Sequence, residues 1–159
     1  MDNKGKKWIF VDFDDTLCLH TSWRPITEDC LRDPREAAEI LFCYSKLNIP
    51  VYQYLLKKQA EGNTVCLISQ ASNIMLEVKK CWLSKHCPDL QFARYISIAR
   101  GENTKADIMR LFQKYYHLDK SDILLIDDKS AERWEAEGAG FKSANPQLIA
   151  NKYYENGAK

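Results

Sequence analysis

Ile9-Phe10-Val11-Asp12-Phe13-Asp14-Asp15-Thr16-Leu17 is the stretch around which the chain is organised. It opens as an apolar run, which is typical of a central strand that helices cover on both faces. Asp12 and Asp14 follow, and they lie on the same side of an extended backbone because side chains alternate along a strand. Two carboxylates at the end of a buried strand are costly unless a cation or a bound substrate offsets their charge. The stretch therefore predicts a functional site beyond the end of this strand.

Length, composition and charge narrow the class of protein. With 159 residues and 45% apolar content, residues 1–159 are predicted to form a single domain with its own core. The formal net charge is +1, from 23 basic and 22 acidic residues, so the overall charge does not favour nucleic acid or an anionic membrane. The amino terminus does not resemble a secretion signal, and no apolar run is long enough to span a membrane. We expect a cytoplasmic protein without a membrane partner.

The cysteines indicate a reducing compartment. The chain has six of them, and no Cys-x-x-Cys pair occurs. Cys66 lies in an apolar run, where a reduced thiol behaves as a small hydrophobic side chain. Reduced thiols are therefore expected. A zinc site is the alternative, and its candidate ligands are Cys18, His20 and Cys30 with His86 or Cys87.

Apolar strands and amphipathic helices alternate along the chain. Strand patterns cover 8–11, 64–69, part of 92–99 and 123–126, with a short edge strand from Phe141. Helical patterns cover 35–44, 51–61, 73–84, 105–116 and 131–139, before a polar tail. Such alternation predicts an α/β fold, three-layered and Rossmann-like, with a mostly parallel sheet. Residues 18–48, the least regular part, are predicted to form a small cap-like insertion over one end of the sheet.

Helical spacing also predicts which side chains face the core. In 35–44, Ile40 and Tyr44 can share a face with Ala37 and Leu41. In 105–116, which Asn103 or Thr104 can cap, the expected apolar stripe consists of Ile108, Leu111 and Phe112.

Three of the predicted strands end in reactive side chains. Asp12 and Asp14 follow the first, Ser69 closes the second, and Asp127 and Asp128 follow the strand 123–126. In parallel α/β sheets, ligands bind beyond the carboxyl ends of the strands. We therefore expect these side chains to face one crevice.

The order of these residues resembles the haloacid dehalogenase (HAD) superfamily of phosphotransferases. The first matching motif is Asp12-Phe13-Asp14-Asp15-Thr16, and it is followed by Ser69 after an apolar strand, Lys105 at a helix start, and Ile-Leu-Leu-Ile-Asp127-Asp128. The four motifs occur in the family's order and span most of the chain. The resemblance implies a HAD-like fold and a phosphatase that uses Mg²⁺.

The resemblance also implies a role for each motif residue. Asp12 would attack phosphorus and carry an aspartyl-phosphate, while Asp14 would protonate the leaving oxygen and later activate water. Ser69 would hydrogen-bond a phosphate oxygen of the substrate, and Lys105 would neutralise the charge that develops there. A magnesium ion would lie against Asp12, the backbone carbonyl of Asp14 and the acidic end of the fourth motif, since that ion prefers oxygen ligands.

Some assignments within the motifs stay open. Either Asp127 or Asp128 would be the direct metal ligand, and we favour Asp128, with Asp127 behind it or joined through a water and Glu132 as an outer acid. Thr16 either shapes the turn after the strand or contacts the substrate. Asp15 replaces a glycine that is often seen in the family, and we expect it to be a turn residue.

The substrate is less constrained than the chemistry. No large cap domain is evident, so an open crevice would admit a nucleic-acid end or a phosphoprotein. Residues 101–107 and 126–129 are similar to the phosphatase domain of phage-type polynucleotide kinase 3′-phosphatases. Arg24 is the candidate for a substrate-binding arginine of those domains, but Gln70 and Ala71 stand where they carry another arginine. The expected substrate is a nucleotide or polynucleotide end phosphate, or another phosphomonoester.

Two other classes of protein compete with the phosphatase. A receiver-type signalling module also places acids, a hydroxyl and a lysine at strand ends, but here Lys105 opens a helix. A degenerate binding protein would keep the fold without catalysis, and the intact acids argue against it. Magnesium-dependent hydrolysis of a phosphomonoester is the favoured function.

Overall fold

The computed structural model describes residues 5–19 and 33–157. Within these residues the strands are β1 Trp8–Val11, β2 Cys18–Leu19, β3 Lys46–Leu47, β4 Thr64–Gln70, β5 Arg94–Ile98, β6 Ile123–Ile126 and β7 Lys142–Ala144. The helices are α1 Pro34–Leu41, α2 Ile49–Ala60, α3 Asn73–His86, α4 Lys105–Tyr116, α5 Ser130–Gly138 and α6 Pro146–Glu155, with a short 3-10 helix at Lys120–Asp122. The strands and helices predicted between residues 64 and 139 all occur, with bounds that differ by at most two residues.

Five of the described strands form one parallel sheet, in the order β5-β4-β1-β6-β7. β1 is central, because Val11 lies opposite Leu67 of β4 on one side and Ile126 of β6 on the other. Every strand pair in this sheet is parallel, so the carboxyl ends of the strands meet at one edge. The predicted α/β fold with a mostly parallel sheet is confirmed.

Helices cover this sheet on both faces, which explains why β1 is apolar throughout. Ile9 and Val11 point into one core, which they share with residues of α1, α2 and α3. Phe10 points into the other, which it shares with residues of α4 and α5. All three side chains are fully buried. The three layers expected from the sequence follow from this alternation.

Two of the predicted helix faces are wrong in part. Ile40 and Tyr44 are exposed; α1 ends at Leu41, so Tyr44 lies beyond it, and the helix packs through Ala37, Ala38 and Leu41. Leu111 of α4 is 61% exposed. The buried residues of α4 are Lys105, Ala106 and Met109. The buried face of α4 therefore differs from the predicted one, and it includes Lys105, the first residue of the helix.

Besides the short 3-10 helix, three described elements are not predicted from the sequence: β2, β3 and α6. The two short strands pair antiparallel over two residues each, which is too short to carry a hydrophobic period. α6 occupies what the sequence suggests is a polar tail. Asn145 caps this helix by accepting a hydrogen bond from the Gln147 amide at 2.9 Å, and Pro146 lies in its first turn. The Asn-Pro pair is the signal that could have revealed α6.

The predicted cap-like insertion, 18–48, lies partly outside the described residues. Its described parts are β2, α1 and β3, and α1 packs against α3. Asn48 ties the end of the segment to the loop after β1, because its side-chain amide donates to the Thr16 carbonyl at 2.9 Å. No described helix is both long and apolar enough to cross a membrane.

Candidate active site

The loops after β1 and β6 lie side by side at the carboxyl edge of the sheet. The backbone amide of Asp12 donates to the carbonyl of Ile126 at 2.9 Å, so the pairing of these strands continues one residue beyond their ends. Asp12 and Asp127 therefore begin the two loops at the same level, and both are buried. Ser69, near the end of β4 on the other side of β1, is also fully buried.

Lys105, the first residue of α4, lies between two of these acids. Its Nζ donates to Asp12 Oδ1 at 2.8 Å and to Asp127 Oδ2 at 2.5 Å. A cation at a helix amino terminus is opposed by the helix dipole, so these carboxylates are what hold it there. Thr104 fixes the helix start with a capping box, in which its side chain and that of Asp107 each accept the other's backbone amide. The sequence thus places Lys105 through a local motif.

The charges of this group are shifted by burial and by one another. The pKa of Asp12 is raised to about 7: burial is the main cause, Lys105 opposes it, and Asp127 and Asp14 add to it. Burial lowers the pKa of Lys105, but Asp12 and Asp127 together outweigh burial and raise it overall. Lys105 is therefore a cation at neutral pH, and Asp12 is an acid whose ionisation needs more positive charge than this lysine supplies.

A third carboxylate completes an acidic group that can hold a metal ion. One oxygen each from Asp12, Asp127 and Asp128 lies within 4.8 Å of the others. Burial raises the pKa of Asp128, and the charges of Asp127 and Asp15 add to this effect. Hard carboxylate oxygens this close together fit a small divalent cation such as Mg²⁺, which would supply the missing positive charge.

Thr16 links the first loop to the fourth motif. Its Oγ1 lies 3.4 Å from Asp12 Oδ2 and 3.4 Å from Asp128 Oδ1, and it accepts a hydrogen bond from the Asp128 amide at 3.2 Å. The residue is fully buried, so these bonds position the carboxylates. Asp15, beside it, has a φ of 54°, a left-handed conformation that aspartate tolerates better than most residues.

Asp14 is not part of the acidic group, and its carboxylate is bound by a second lysine. Lys79 Nζ donates to Asp14 Oδ2 at 2.6 Å and to Ser69 Oγ at 2.8 Å. It also lies 5.0 Å from the centroid of the Phe13 ring. The Lys79 side chain is 2% exposed, whereas that of Asp14 is 24% exposed. Two predicted functional residues, Asp14 and Ser69, thus share one buried cation.

Lys79 is absent from the set of residues that sequence reasoning selected. It lies in α3 among the buried residues Leu76, Val78, Trp82 and Leu83. A lysine on the core face of an amphipathic helix is the signal that could have found it, because lysine is seldom fully buried without a partner. Arg133 was missed as well, and it donates to the backbone carbonyls of Asp127 and Asp128 at 2.8 and 2.7 Å.

Comparison with solved structures identifies the architecture. D,D-heptose 1,7-bisphosphate phosphatase from B. bronchiseptica, solved with magnesium and phosphate, matches with a TM-score of 0.58 and 12% identity, over 92% of this chain and 86% of that chain. A mutant HAD family enzyme from Bacteroides thetaiotaomicron, also with magnesium and inorganic phosphate, matches with a TM-score of 0.55 and 14% identity, over 89% and 94% of the two chains. The chain has a HAD-like fold.

A third similar structure is part of an assembly. A chain of the Pnkp1/Rnl/Hen1 complex matches with a TM-score of 0.58 and 22% identity over 91% of this chain, which spans only 47% of that chain's length. No protein-family model matches the sequence. No curated protein matches it either.

On the HAD-like fold, the predicted residues fall into two neighbouring groups. The acid group contains Asp12, Asp127 and Asp128, with Lys105 and Thr16 bonded to it. The Lys79 group contains Asp14, Ser69 and Lys79. The predicted Arg24 lies outside the described residues, as do two zinc candidates, His20 and Cys30. In the described part of the chain, no cysteine or histidine belongs to a group that can hold a metal ion.

Proposed function

We propose that this chain is a magnesium-dependent phosphomonoester hydrolase that works through an aspartyl-phosphate on Asp12. The observation that carries the proposal is the buried pairing of Asp12 with Lys105 inside an acidic group that can hold a metal ion. A carboxylate at a cation site is placed to attack an electrophile that the same cations attract. Two proteins with this fold were solved with both magnesium and phosphate, which supports this pair of ligands.

In the first half of the reaction, an oxygen of Asp12 attacks phosphorus and the bond from phosphorus to the leaving oxygen breaks. The proton for the leaving oxygen comes from Asp14, whose partly exposed carboxyl group is open to a substrate. Lys105 stays bonded to Asp12 and offsets the charge of the incoming phosphoryl group. The products are an alcohol, an aspartyl-phosphate and an ionised Asp14.

In the second half, water attacks the same phosphorus and gives a proton to Asp14. The bond from phosphorus to Asp12 breaks, which releases inorganic phosphate and restores both aspartates to their starting state. Asp14 therefore acts first as an acid and then as a base. Ser69 lies beside it through their common partner Lys79, where its hydroxyl group would bind a phosphoryl oxygen in both steps.

Asp12, Asp127 and Asp128 would hold the magnesium ion, with the backbone carbonyl of Asp14 as a further ligand. Magnesium bound there supplies positive charge that lets an anionic carboxylate approach an anionic phosphate. This group has three acidic side chains and one lysine, and a divalent ion would offset the difference. We favour Asp128 as a direct ligand, with Asp127 behind it or joined through a water, because Lys105 binds Asp127 more closely than Asp12, at 2.5 Å against 2.8 Å, and does not bind Asp128.

A cleft beside the acidic group offers room for the rest of the substrate. Its volume is about 320 Å³, and its described lining includes Asp128, Asn48, Asn145 and Tyr154. This size lies at the lower end of small-ligand pockets. The described lining contains amides, prolines and a tyrosine but no lysine or arginine. Such a surface suits an uncharged sugar or nucleoside better than a second phosphate.

The substrate that we propose is a nucleotide or polynucleotide end phosphate. The fold likeness to a chain of the Pnkp1/Rnl/Hen1 complex supports this choice, and a metabolite or phosphoprotein phosphate is the alternative. Residues 18–48 would form a small cover over the site within a single domain, 1–159, and Arg24 would contact the substrate from there. A cytoplasmic location stays a prediction.

The test is a substrate panel with p-nitrophenyl phosphate, nucleotides and 3′-phosphorylated oligonucleotides, each assayed in MgCl₂ and in EDTA. We expect magnesium-dependent release of phosphate by the wild type. Asp12→Asn should lower turnover by at least ~10⁴-fold, since it removes the nucleophile. The matched variant Asp15→Asn changes a turn residue of the same loop, and it should keep more than about a tenth of the activity.

Two results would overturn the proposal. The first is a wild type that releases phosphate from no member of the panel with magnesium present. The second is full activity in Asp12→Asn, because an aspartyl-phosphate on that residue would then be impossible.

A further inference from the structure

We propose that Lys79 is a positioning residue that holds Asp14 for proton transfer and Ser69 for phosphoryl binding. The inference rests on the function proposed above and adds a residue to it. Lys79 reaches the site from α3, whereas Lys105 reaches it from α4. Its ammonium is bonded to both residues at 2.6 and 2.8 Å.

The environment of Lys79 is unusual for a lysine that only supports the fold. Removing an ammonium group from water is costly, and replacing buried ion pairs by apolar side chains is often neutral or stabilising. The side chain is nevertheless 2% exposed, and it packs among the apolar residues of α3. Its hydrogen bonds go to Asp14 and Ser69, which the motif order singles out on independent grounds.

The contact with Asp14 fixes how that carboxyl group meets a substrate. Lys79 binds Oδ2, so Oδ1 is the oxygen that can carry the proton to the leaving group. A carboxyl group held in one orientation loses less entropy when the transition state forms. Asp14 is not in the group of acids that can hold the metal ion, so proton transfer and metal binding use different carboxylates.

The contact with Ser69 directs a hydroxyl group. Because Ser69 Oγ accepts a hydrogen bond from Lys79, its own hydrogen is turned elsewhere and can be donated to a phosphoryl oxygen. The Ser69 effect acts on every substrate alike, since all carry the phosphoryl group. The Asp14 effect depends on the leaving group. This difference separates positioning of the acid from general support of the site.

The test compares kcat/KM for two substrates that differ in their need for an acid. p-Nitrophenolate leaves without a proton, whereas glycerol phosphate must expel an alkoxide that needs one. We expect Lys79→Met to lower kcat/KM about 100-fold for glycerol phosphate and less than about 10-fold for p-nitrophenyl phosphate, given the usual contribution of general acids. Lys80→Met, the next residue of α3, whose side chain pairs with Glu77 at the surface, should leave both values unchanged.

A second arm shows whether Lys79 acts through Asp14. In an Asp14→Asn background, Lys79→Met should lower both values of kcat/KM by the same factor, because no acid is left to position. Equal losses on the two substrates in the otherwise wild-type chain would overturn the inference while leaving the proposed function intact. A wild type that hydrolyses neither substrate would overturn the proposed function itself.

Folding of the variants is checked by circular dichroism. If Lys79→Met does not fold, Lys79→Gln is assayed in the same way, since it keeps a donor for Ser69 and removes the charge. If neither variant folds, Lys79 is a structural residue and the inference is overturned.

Discussion

Lys105 and Lys79 bring two buried ammonium groups to the same edge of the sheet, but their surroundings differ. Lys105 is bonded to two carboxylates that are themselves buried, Asp12 and Asp127. Lys79 is bonded to one partly exposed carboxylate, Asp14, and to a neutral hydroxyl group. With Asp128, the first group has three acidic side chains for one lysine, whereas the second has one acidic side chain for one lysine. The difference indicates that the first group needs a further cation, and that the second can work without one.

The largest expected effect is on stability, when Lys105 is replaced. In magnesium-free buffer at pH 7.5, Lys105→Met should lower the free energy of unfolding by about 3 to 5 kcal/mol, because it leaves two buried carboxylates without their cation. Lys79→Met should cost only about 1 to 3 kcal/mol, since the carboxylate of Asp14 still reaches water. Urea unfolding measures both values. Lys114→Met, an exposed change on α4, should stay within about 0.5 kcal/mol of wild type. Equal losses of unfolding free energy in Lys105→Met and Lys79→Met would contradict the proposed difference between the two lysines.

The next effect is a dependence of stability on pH that comes from Asp12. Its pKa is raised to about 7 in the folded chain, so the folded state binds this proton more tightly than the unfolded state. The resulting stabilisation is present below about pH 4 and is lost as the pH rises to about 7. The side-chain amide of the Asp12→Asn variant does not titrate in this pH range. Its free energy of unfolding relative to wild type should therefore increase by about 3 kcal/mol between pH 4 and 7.5 without magnesium.

Two measurements check this prediction. Urea unfolding of wild type and Asp12→Asn at several pH values gives the difference directly, and the exposed variant Asp119→Asn serves as the control. Magnesium should flatten the wild-type curve, because a bound cation favours the ionised carboxylate. A difference between wild type and Asp12→Asn that does not change with pH would contradict the raised pKa.

Magnesium affinity distinguishes the two groups directly. Asp128→Asn should weaken binding by at least about tenfold, because it removes a carboxylate from the acid group. Asp14→Asn should weaken it less than about threefold, since the proposed ligand there is the backbone carbonyl and the side chain is held by Lys79. Calorimetric titration with MgCl₂ measures both. Asp127→Asn in the same series decides which of the paired acids binds directly. A larger loss in Asp14→Asn than in Asp128→Asn would reverse the assignment.

The contrast between the two lysines also shows what the sequence could predict. Lys105 follows a capping signal, and the aspartates follow apolar strands, so local patterns place them all before any packing is known. The parallel order of the strands then brings them together. No such local sequence pattern identifies Lys79. It lies 65 residues from Asp14 and 10 from Ser69 along the chain, and only the packing of α3 onto the sheet brings the three side chains into contact.

Buried polar residues and small contact areas account for the other errors of prediction. The buried face of α4 includes Lys105. A prediction that looks only for apolar residues therefore places the buried face of this helix too close to Leu111. In α6, a single alanine and a proline form the buried set, which leaves the helix without a strong apolar period. Patterns of hydrophobicity therefore find strands and long helices well. They fail where a buried polar residue or a small contact area decides the packing.

The smallest expected effect concerns the residues that begin the two helices. Thr104→Ala and Ser72→Ala each remove a side-chain cap, from α4 and α3, and each should lower the free energy of unfolding by about 1 kcal/mol.

Their effects on activity should differ. Lys105 is the first residue after its cap, so fraying of one turn moves it away from Asp12. Lys79 lies about two turns into α3, where fraying does not reach. We expect Thr104→Ala to lower kcat about threefold and Ser72→Ala to leave it unchanged. Thr104→Ser should restore both stability and kcat, because serine caps equally well. If Ser72→Ala lowered kcat as much as Thr104→Ala, the position of Lys79 would depend on the start of its helix, and the two lysines would differ only in their partners.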